Sequence, residues 1–515
     1  MGRPSASSLR TAPSCVNNRI RARVLSSQPA TEEGESGQRH SAATEGRRDG
    51  LSVIHRSIDI HRLTLAGFRP SVDSVVTDLG SDPARSRTVT LLDHSLGGSV
   101  SSPRVLVASA FEAELQPLTS ACAAAALQHH GADVVGWDAH LLPDAIPEGP
   151  FDLTLVSVQQ FEGLERGIAL ARRVSEAYGT TVVTFGQYAQ MNHREFLEVA
   201  DGIIMEEPEL ISEELARLAA GTIALDAVPA LMTRTGMRPK PPRRRISVTK
   251  PARDLFPSLV HYPAHHSPFG LMGNIEASRG CHHKCTYCSV YGAYDGGVAA
   301  YDADSVLADA LQLAEEGVRH FCFIDAEFFN SRTIGIGVVE RLVEAIGPIT
   351  FEFTTRVDHV LDYTKELEKL VSLGLRRVTC ALEFPSDRIL RIFDKHIDVD
   401  HMREAVDEAE RIGFELYPTF IPFTPWIEYE ELLGFEDWLV ETGLARVTDP
   451  TALQTRLLLF KGSPLLSSPW MEDIATVDRG FWVEWTHPDK RVEELWQERR
   501  TDAEDAGKIR CCVKC

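Results

Sequence analysis

The chain has 515 residues, 43% of them hydrophobic, and a formal net charge of -21, which leaves room for two or three domains with cores of their own. The acidic balance argues against a nucleic-acid partner, which a basic face would announce. No run approaches the roughly 18 consecutive apolar residues of a membrane span, so a cytoplasmic protein without membrane contact is expected. Ten cysteines at this length do not make a disulfide scaffold, and six of them stand in two tight clusters, a pattern of metal or redox sites in a reducing compartment.

Residues 1–100 are rich in Ser, Arg, Thr and Gly with little periodicity, and a mostly disordered extension is expected there. Arg3, Arg10, Arg19, Arg21 and Arg23 precede the first acidic residue, Glu32, a composition resembling a transit peptide. A clear amphipathic helix is lacking, and a misassigned start or a disordered extension accounts for it equally.

Residues 101–227 alternate short apolar runs with helical stretches. RVLVASA (Arg104 to Ala110) is followed by a helix over Leu115 to His130, then ADVVGWDA, DLTLVSV, a helix through GIALARRVSEAYG, TVVTFG and DGIIME. Unbroken apolar runs spaced by helices predict a parallel sheet with both faces covered, a doubly wound, flavodoxin-like α/β domain. From 228 to 268 the composition turns to Pro, Arg and His, the mark of a linker or strap. The basic run Arg243 to Arg245 reads as a solvated stretch, and His261, His265 and His266 as loop histidines without a ligand role.

The region 269–480 opens on GNIEASRGCHHKCTYCSVYG, with Cys281, Cys285 and Cys288 spaced C-x-x-x-C-x-x-C. Three thiolates on one loop suit three irons of a 4Fe–4S cubane. The fourth iron is then open to the amino and carboxylate groups of S-adenosylmethionine. A structural zinc site normally closes with four ligands, usually in C-x-x-C pairs, and no partner pair stands nearby.

This motif resembles the radical S-adenosylmethionine superfamily, including Tyr287 before the third cysteine, where the family packs a side chain on the adenine. The resemblance implies a partial (β/α)6 barrel of the TIM type. Its later strands fall at VRHFCFIDAEFFN, ITFEFTTRVD, RRVTCALEFPSDRILRIFDKHI, FELYPTFIPF and TRLLLFKGSPL. Asp325 and Glu327 stand where the family presents polar groups to the methionine amino group, and Glu383 is a further cofactor contact. Ala381-Leu382-Glu383-Phe384 departs from the Gly-Ile-Glu-Ser of many relatives. Arg356, Arg377 and Lys395 read equally as carboxylate partners or plain salt bridges, and Cys322 and Cys380 as buried structural thiols.

The preceding sheet domain resembles, in order and place, the cobalamin-binding domain that often precedes such a core. The Asp-x-His-x-x-Gly loop of that family has no match; the nearest stretch, FEGLERG, has no histidine. The expectation is therefore a degenerate sheet domain used for packing or substrate shaping, without bound cobalamin.

The C-terminal extension, 481–515, ends in KIRCCVKC. A set of radical S-adenosylmethionine proteins ends in Arg-Cys-Cys-Leu-Lys-Cys and includes arsinothricin biosynthesis. Here the ending is Arg510-Cys511-Cys512-Val513-Lys514-Cys515, with one apolar exchange. Trivalent arsenic is thiophilic and suits three thiolates, and Arg510 and Lys514 would favour the thiolate form. The resemblance implies transfer of a 3-amino-3-carboxypropyl group from S-adenosylmethionine to arsenite held by Cys511, Cys512 and Cys515, with flavodoxin or ferredoxin as reductant. The alternatives are a second iron–sulfur cluster or zinc on the tail, a redox thiol set, a conventional deoxyadenosyl-radical enzyme for another natural product, and a metal sensor.

Overall fold

In the computed structural model, the described residues are 102–242, 244–248 and 250–505. The extension 1–100, Arg243, and the tail with Cys511, Cys512 and Cys515 lie outside them.

The first sheet contains β1 (Arg104–Ser109), β2 (Asp133–Asp138), β3 (Leu153–Ser157), β4 (Thr181–Phe185), β5 (Gly202–Ile204), β6 (Leu231–Thr233) and β7 (Gly236–Met237), in the order β2-β1-β3-β4-β5-β6-β7. β1 to β5 pair in parallel, with Val105 beside Val134 on one side and beside Leu153 on the other. Their side chains divide by the two-residue period of a strand. Val105, Val107, Leu153, Leu155 and Val183 enter one core, and Leu106, Ala108, Val156 and Val182 the other. That two-sided burial is why the runs are continuously apolar. The order reverses between β1 and β3, so the carboxyl ends of these strands form the crevice where doubly wound sheets hold ligands. β6 and β7 extend the edge as an antiparallel hairpin.

The second sheet holds β8 (His266–Ser267), β9 (Gly270–Ile275), β12 (His320–Phe323), β13 (Thr350–Thr355), β14 (Leu375–Glu383) and β15 (Glu415–Phe420), in the order β15-β14-β13-β12-β9-β8. β9 and β12 to β15 are parallel, and β8 turns back antiparallel at the edge. Helices fill each crossover; Val399–Ile412, for example, starts at the Asp398/His401 capping box and stops at Gly413 in the left-handed conformation. Between β9 and β12 the hairpin of β10 (Ser278–Gly280) and β11 (Val298–Ala300) brackets the cysteine loop.

The sixth parallel strand expected at TRLLLFKGSPL does not extend this sheet. Arg456 makes one parallel bridge to Phe423, and β16 (Leu459–Phe460) instead pairs antiparallel with β18 (Trp482–Thr486), which pairs with β17 (Ala475–Asp478). Arg456 explains the departure: Glu493 takes its guanidinium at 2.8 and 2.9 Å, and Trp485 and Trp496 cover it at 3.7 and 4.3 Å. The result is an α/β fold with a partial, curled second sheet.

The two sheets share one apolar core. Leu118, Cys122 and Leu210 pack in the same cluster as Val306 and Leu313. Two buried arginines tie them further. Arg253 pairs with Asp309 at 2.6 and 2.8 Å and donates to Gln116 and Asn274. Arg279 meets Glu207 at 2.6 Å, Glu209 at 3.0 Å and Glu276 at 2.9 Å. The Pro-rich stretch 228–268 is held against both. Ile246 bridges Tyr301, and Tyr262 donates to Asp138 at 2.8 Å. His265, fully buried, accepts from the Gln116 amide at 2.8 Å while its Nδ1 lies 2.7 Å from the Met272 carbonyl. Burial pushes His265 down to about 4, so a neutral imidazole serves here as a hydrogen-bonding brace.

Candidate cluster and cofactor site

The cysteine loop runs from the end of β10 to the helix Ser289–Tyr294. Thr286 pins its middle: its amide donates to Phe393 O and its hydroxyl to Ile392 O, while Ser463 Oγ and the Leu465 amide donate to its carbonyl. Cys281, Cys285 and Cys288 are thereby held buried or half-buried, close enough for their thiols to interact electrostatically. Burial first, then the neighbouring Cys285, pushes Cys288 up to about 11; burial also raises Cys281. Crowded thiols that resist ionising alone are a donor set that a cationic iron cluster would relieve. Cations are already placed for such a cluster's thiolates. Arg356 Nη1 lies 3.4 Å from Cys285 Sγ, and the same guanidinium is fixed by Asp358 at 2.8 and 2.9 Å and by the Lys395 carbonyl at 2.5 Å.

Glu383 sits at the end of β14, where the pairing with β15 shifts register after Ala381. Its φ of 61° is left-handed, and Asp394 and His396, flanking Lys395, have φ of 55° and 58°. Such conformations cost non-glycine residues free energy and cluster where surroundings over-determine them. Here they aim two buried charges at each other: Lys395 Nζ is 2.8 Å from Glu383 Oε1. Tyr287 donates its hydroxyl to the same oxygen, and its ring lies 4.3 Å from that of Phe393. The sequence-derived residues Tyr287 and Glu383 are thus brought together beside the cysteines. Arg356 and Lys395 form salt bridges with Asp358 and Glu383. Arg377 is remote from this group, paired with Glu415 at 2.5 Å.

Asp325 and Glu327 follow β12 and are both buried. Asp325 spends its oxygens on the Ala277 amide at 2.9 Å and Ser278 Oγ at 2.8 Å, closing the turn between β9 and β10. Burial lifts it to about 7. Glu327 Oε1 accepts from the Phe329 amide at 3.1 Å and Thr355 Oγ1 at 2.5 Å. Cys322 and Cys380 are buried thiols in strands β12 and β14, as read from the sequence.

The loop also meets the first sheet. The helix Gln187–Met191 leaves the carboxyl end of β4 and packs on the helix that follows Cys288. Gln187 Nε2 donates to Ser289 Oγ at 2.8 Å. Gly186 makes the turn possible: its φ is 101°, and a Cβ there would lie 2.6 Å from Gln159 Nε2 and 2.7 Å from Val158 O. The carboxyl edge of the first sheet therefore abuts the helix that follows the cysteine loop.

Residues 275–439 match the model of the Radical SAM superfamily. The chain carries a radical SAM domain. It is 25% identical over 243 residues to the hopanoid C-3 methylase of Methylococcus capsulatus, covering 47% of this chain and 46% of that protein. With the hopanoid C-2 methylase of Rhodopseudomonas palustris it shares 27% identity over 200 residues, 38% of this chain and 37% of that protein. The chain thus matches less than half the length of either relative. In fold it resembles the cobalamin-dependent S-adenosylmethionine radical enzyme OxsB with aqua-cobalamin and S-adenosylmethionine bound, at a TM-score of 0.62 and 15% identity over 79% of this chain and 67% of that one. It also resembles the radical S-adenosylmethionine methyltransferase TsrM of Kitasatospora setae with cobalamin and a 4Fe–4S cluster bound, at 0.61 and 14% identity over 79% and 89%.

These likenesses overturn the expectation of a domain without cobalamin. The missing Asp-x-His-x-x-Gly histidine bears on one mode of cobalt ligation, while the whole two-domain fold is shared with enzymes that bind cobalamin. Among the described residues, no helix is long and apolar enough to cross a membrane.

Proposed function

We propose that this chain is a radical S-adenosylmethionine enzyme that transfers a carbon group, with cobalamin held between its two domains. The observation that carries this reading is the packing of the helix Gln187–Met191, which leaves the carboxyl end of β4, on the helix that follows Cys288, through Gln187 to Ser289 and Met191 beside Gly292. Cys281, Cys285 and Cys288 would hold the cluster. Gln159, Gln187 and the Gly186 turn would contact cobalamin, with no histidine in the loops that follow β1, β3 and β4 to ligate its cobalt. The cluster, when bound and reduced, supplies the electron that cleaves a sulfonium carbon–sulfur bond. This chain's residues orient. Arg356 and Lys395 place positive charge beside Cys285, and Glu383 and Tyr287 fix Lys395.

Anaerobic reconstitution tests it. About four irons and one cobalamin are expected per chain, with cleavage of S-adenosylmethionine under dithionite. No cleavage under any reductant would remove the enzymatic reading. Cleavage without cobalamin uptake would remove its cobalamin part.

A second reading is favoured by one observation, the ending Arg510 to Cys515. In it the group transferred is 3-amino-3-carboxypropyl and the acceptor is trivalent arsenic bound by Cys511, Cys512 and Cys515, with a flavodoxin or ferredoxin as electron donor. Soft thiolates select such an acceptor over hard cations. Mass spectrometry after adding arsenite should then find methylthioadenosine and an aminocarboxypropyl–arsenic product, lost on Cys512→Ser. Deoxyadenosine with no arsenic product would refute it.

A further inference from the structure

An open depression of about 370 Å³ lies at the start of the 15-residue helix Arg332–Ile346. Ser331, which immediately precedes this helix, lines it. A serine in that place ordinarily caps the helix, yet its side chain makes no capping hydrogen bond, and among the described residues no other group takes up its hydroxyl. Only 8% of Ser331 is exposed. A polar side chain so deeply set is nearly always satisfied, so its hydroxyl waits on a partner that the depression would hold.

The surroundings specify the charge of that partner. The start of a helix is the positive end of its dipole. Two guanidinium groups line the same depression. Arg332 is held in place, paired with Glu366 at 3.1 Å and laid 4.6 Å over the Tyr363 ring. Arg245 is exposed, and no ion pair of the described residues engages it. The sequence presents it as part of a solvated basic run; the fold brings it to a second arginine and a helix start. A hydroxyl, two guanidinium groups and a helix dipole suit a phosphate, which offers several oxygens and full negative charge.

The volume calls for more than an ion. Sites for small organic molecules span about 300–1,000 Å³, and the depression falls at the lower end of that range. Phe329 and Tyr363 line it as well, their ring centroids 4.6 Å apart, and they supply apolar surface for an organic part.

The depression is distinct from the cofactor site. Phe329 and Tyr363 pack on His359, with ring centroids 5.8 and 5.2 Å away, and His359 Nδ1 pairs with Glu327 Oε1 at 3.0 Å. Neither His359 nor Glu327 lines the depression, and none of Cys281, Cys285 and Cys288 does. One contact joins the two places: Asn330, also in the lining, donates from Nδ2 to the Gly280 carbonyl at 3.4 Å, one residue before Cys281.

We propose that this depression binds a small organic phosphomonoester. Ser331, Arg245 and Arg332 take its phosphate at the helix start, and Phe329 and Tyr363 lie against its organic part. Neither cobalamin nor the cysteine tail enters the site, so it stands independently of the readings above.

The test uses the full chain with its cluster reconstituted, kept anaerobic and without reductant, and with S-adenosylmethionine in excess to fill the cofactor site. Phenyl phosphate is the probe, followed by equilibrium dialysis at low salt. One probe per chain is expected, bound at least about fivefold more tightly than inorganic phosphate or benzoate. Arg245→Gln and Ser331→Ala should each weaken binding at least about fivefold while iron stays at the parent level. No retention by the parent, displacement of the probe by S-adenosylmethionine, or parental affinity in either variant overturns the site. Benzoate bound as tightly overturns the phosphate assignment, and inorganic phosphate bound as tightly overturns the organic part. Should Ser331→Ala lose its cluster, Arg245→Gln, at an exposed side chain, decides.

Discussion

Replacing Glu276 by Gln should flatten the pH dependence of stability. Glu276, Glu207 and Glu209 converge on the single guanidinium of Arg279, with no side chain of the four more than 10% exposed. Burial raises Glu276 from 4.5 to about 8 against the opposing pull of Arg279. It also lines a small space of about 10 Å³ with Cys122, Tyr301 and Asp309, which holds at most one water. The folded chain therefore keeps a proton on Glu276 across a range in which the unfolded chain has released it. Stability is fully present below about pH 4.5 and is lost as pH rises through about 8. Between pH 5 and 8 the loss from this one group is about 3–4 kcal/mol. Chemical denaturation of the reconstituted protein at pH 5, 6, 7 and 8 reads it directly. The parent should lose stability steadily over that interval, and Glu276→Gln, which keeps the neutral shape and the acceptor for Arg279 Nε, should remove this group's share of the slope and leave that of Asp325, which burial also raises. An identical slope in the variant would show that the buried carboxylates share their proton differently and would refute the assignment.

Other perturbations probe the remaining contacts. Lys395→Met leaves Glu383 buried and uncompensated, at an expected cost of about 3–5 kcal/mol in denaturation; the double variant with Glu383→Gln should recover part of it, and simple additivity would contradict a direct pair. Gly186→Ala places a methyl within 2.7 Å of Gln159 Nε2 and Val158 O at a φ of 101°, so cobalamin uptake followed by absorbance should fall at least tenfold. Unchanged uptake would move the cofactor away from that turn. Arg253→Met strands Asp309 and frees Gln116 and Asn274; limited proteolysis should cut faster within 228–268, and parental kinetics would show that the shared apolar core alone holds the strap.

Legibility in the sequence followed the range over which each residue acts. β1, β3 and β4 stand out as unbroken apolar runs because both faces of that sheet are covered, and the cysteine loop declares itself by spacing because its three cysteines lie within eight residues. The hairpin of β6 and β7 left no comparable trace, since strands of three and two residues are too short to show a period. A Pro-rich composition suggested a loose strap, yet Arg253 and His265 are among the most buried polar side chains. Their partners lie up to 149 residues distant, as Gln116 is from His265, so no local pattern could reveal them.

The same reasoning explains why the candidate site was half legible. Tyr287 and Glu383 could be placed by motif, whereas what fixes them could not: Lys395 reaches Glu383 because Asp394 and His396 adopt left-handed backbone, a feature composition does not encode. His359 is an unremarkable residue on a short helix until β12 and β13 pair and carry it to Glu327. A parallel sheet does this systematically. Each strand ends at the same edge, so residues from separate crossovers meet there without any sequence pattern linking them. The missing cobalamin histidine misled for the converse reason: a short motif was weighed as if it reported on the whole domain, when the surface that meets the cysteine loop is made by Gln187 and Met191, placed by the turn at Gly186 and not by a signature.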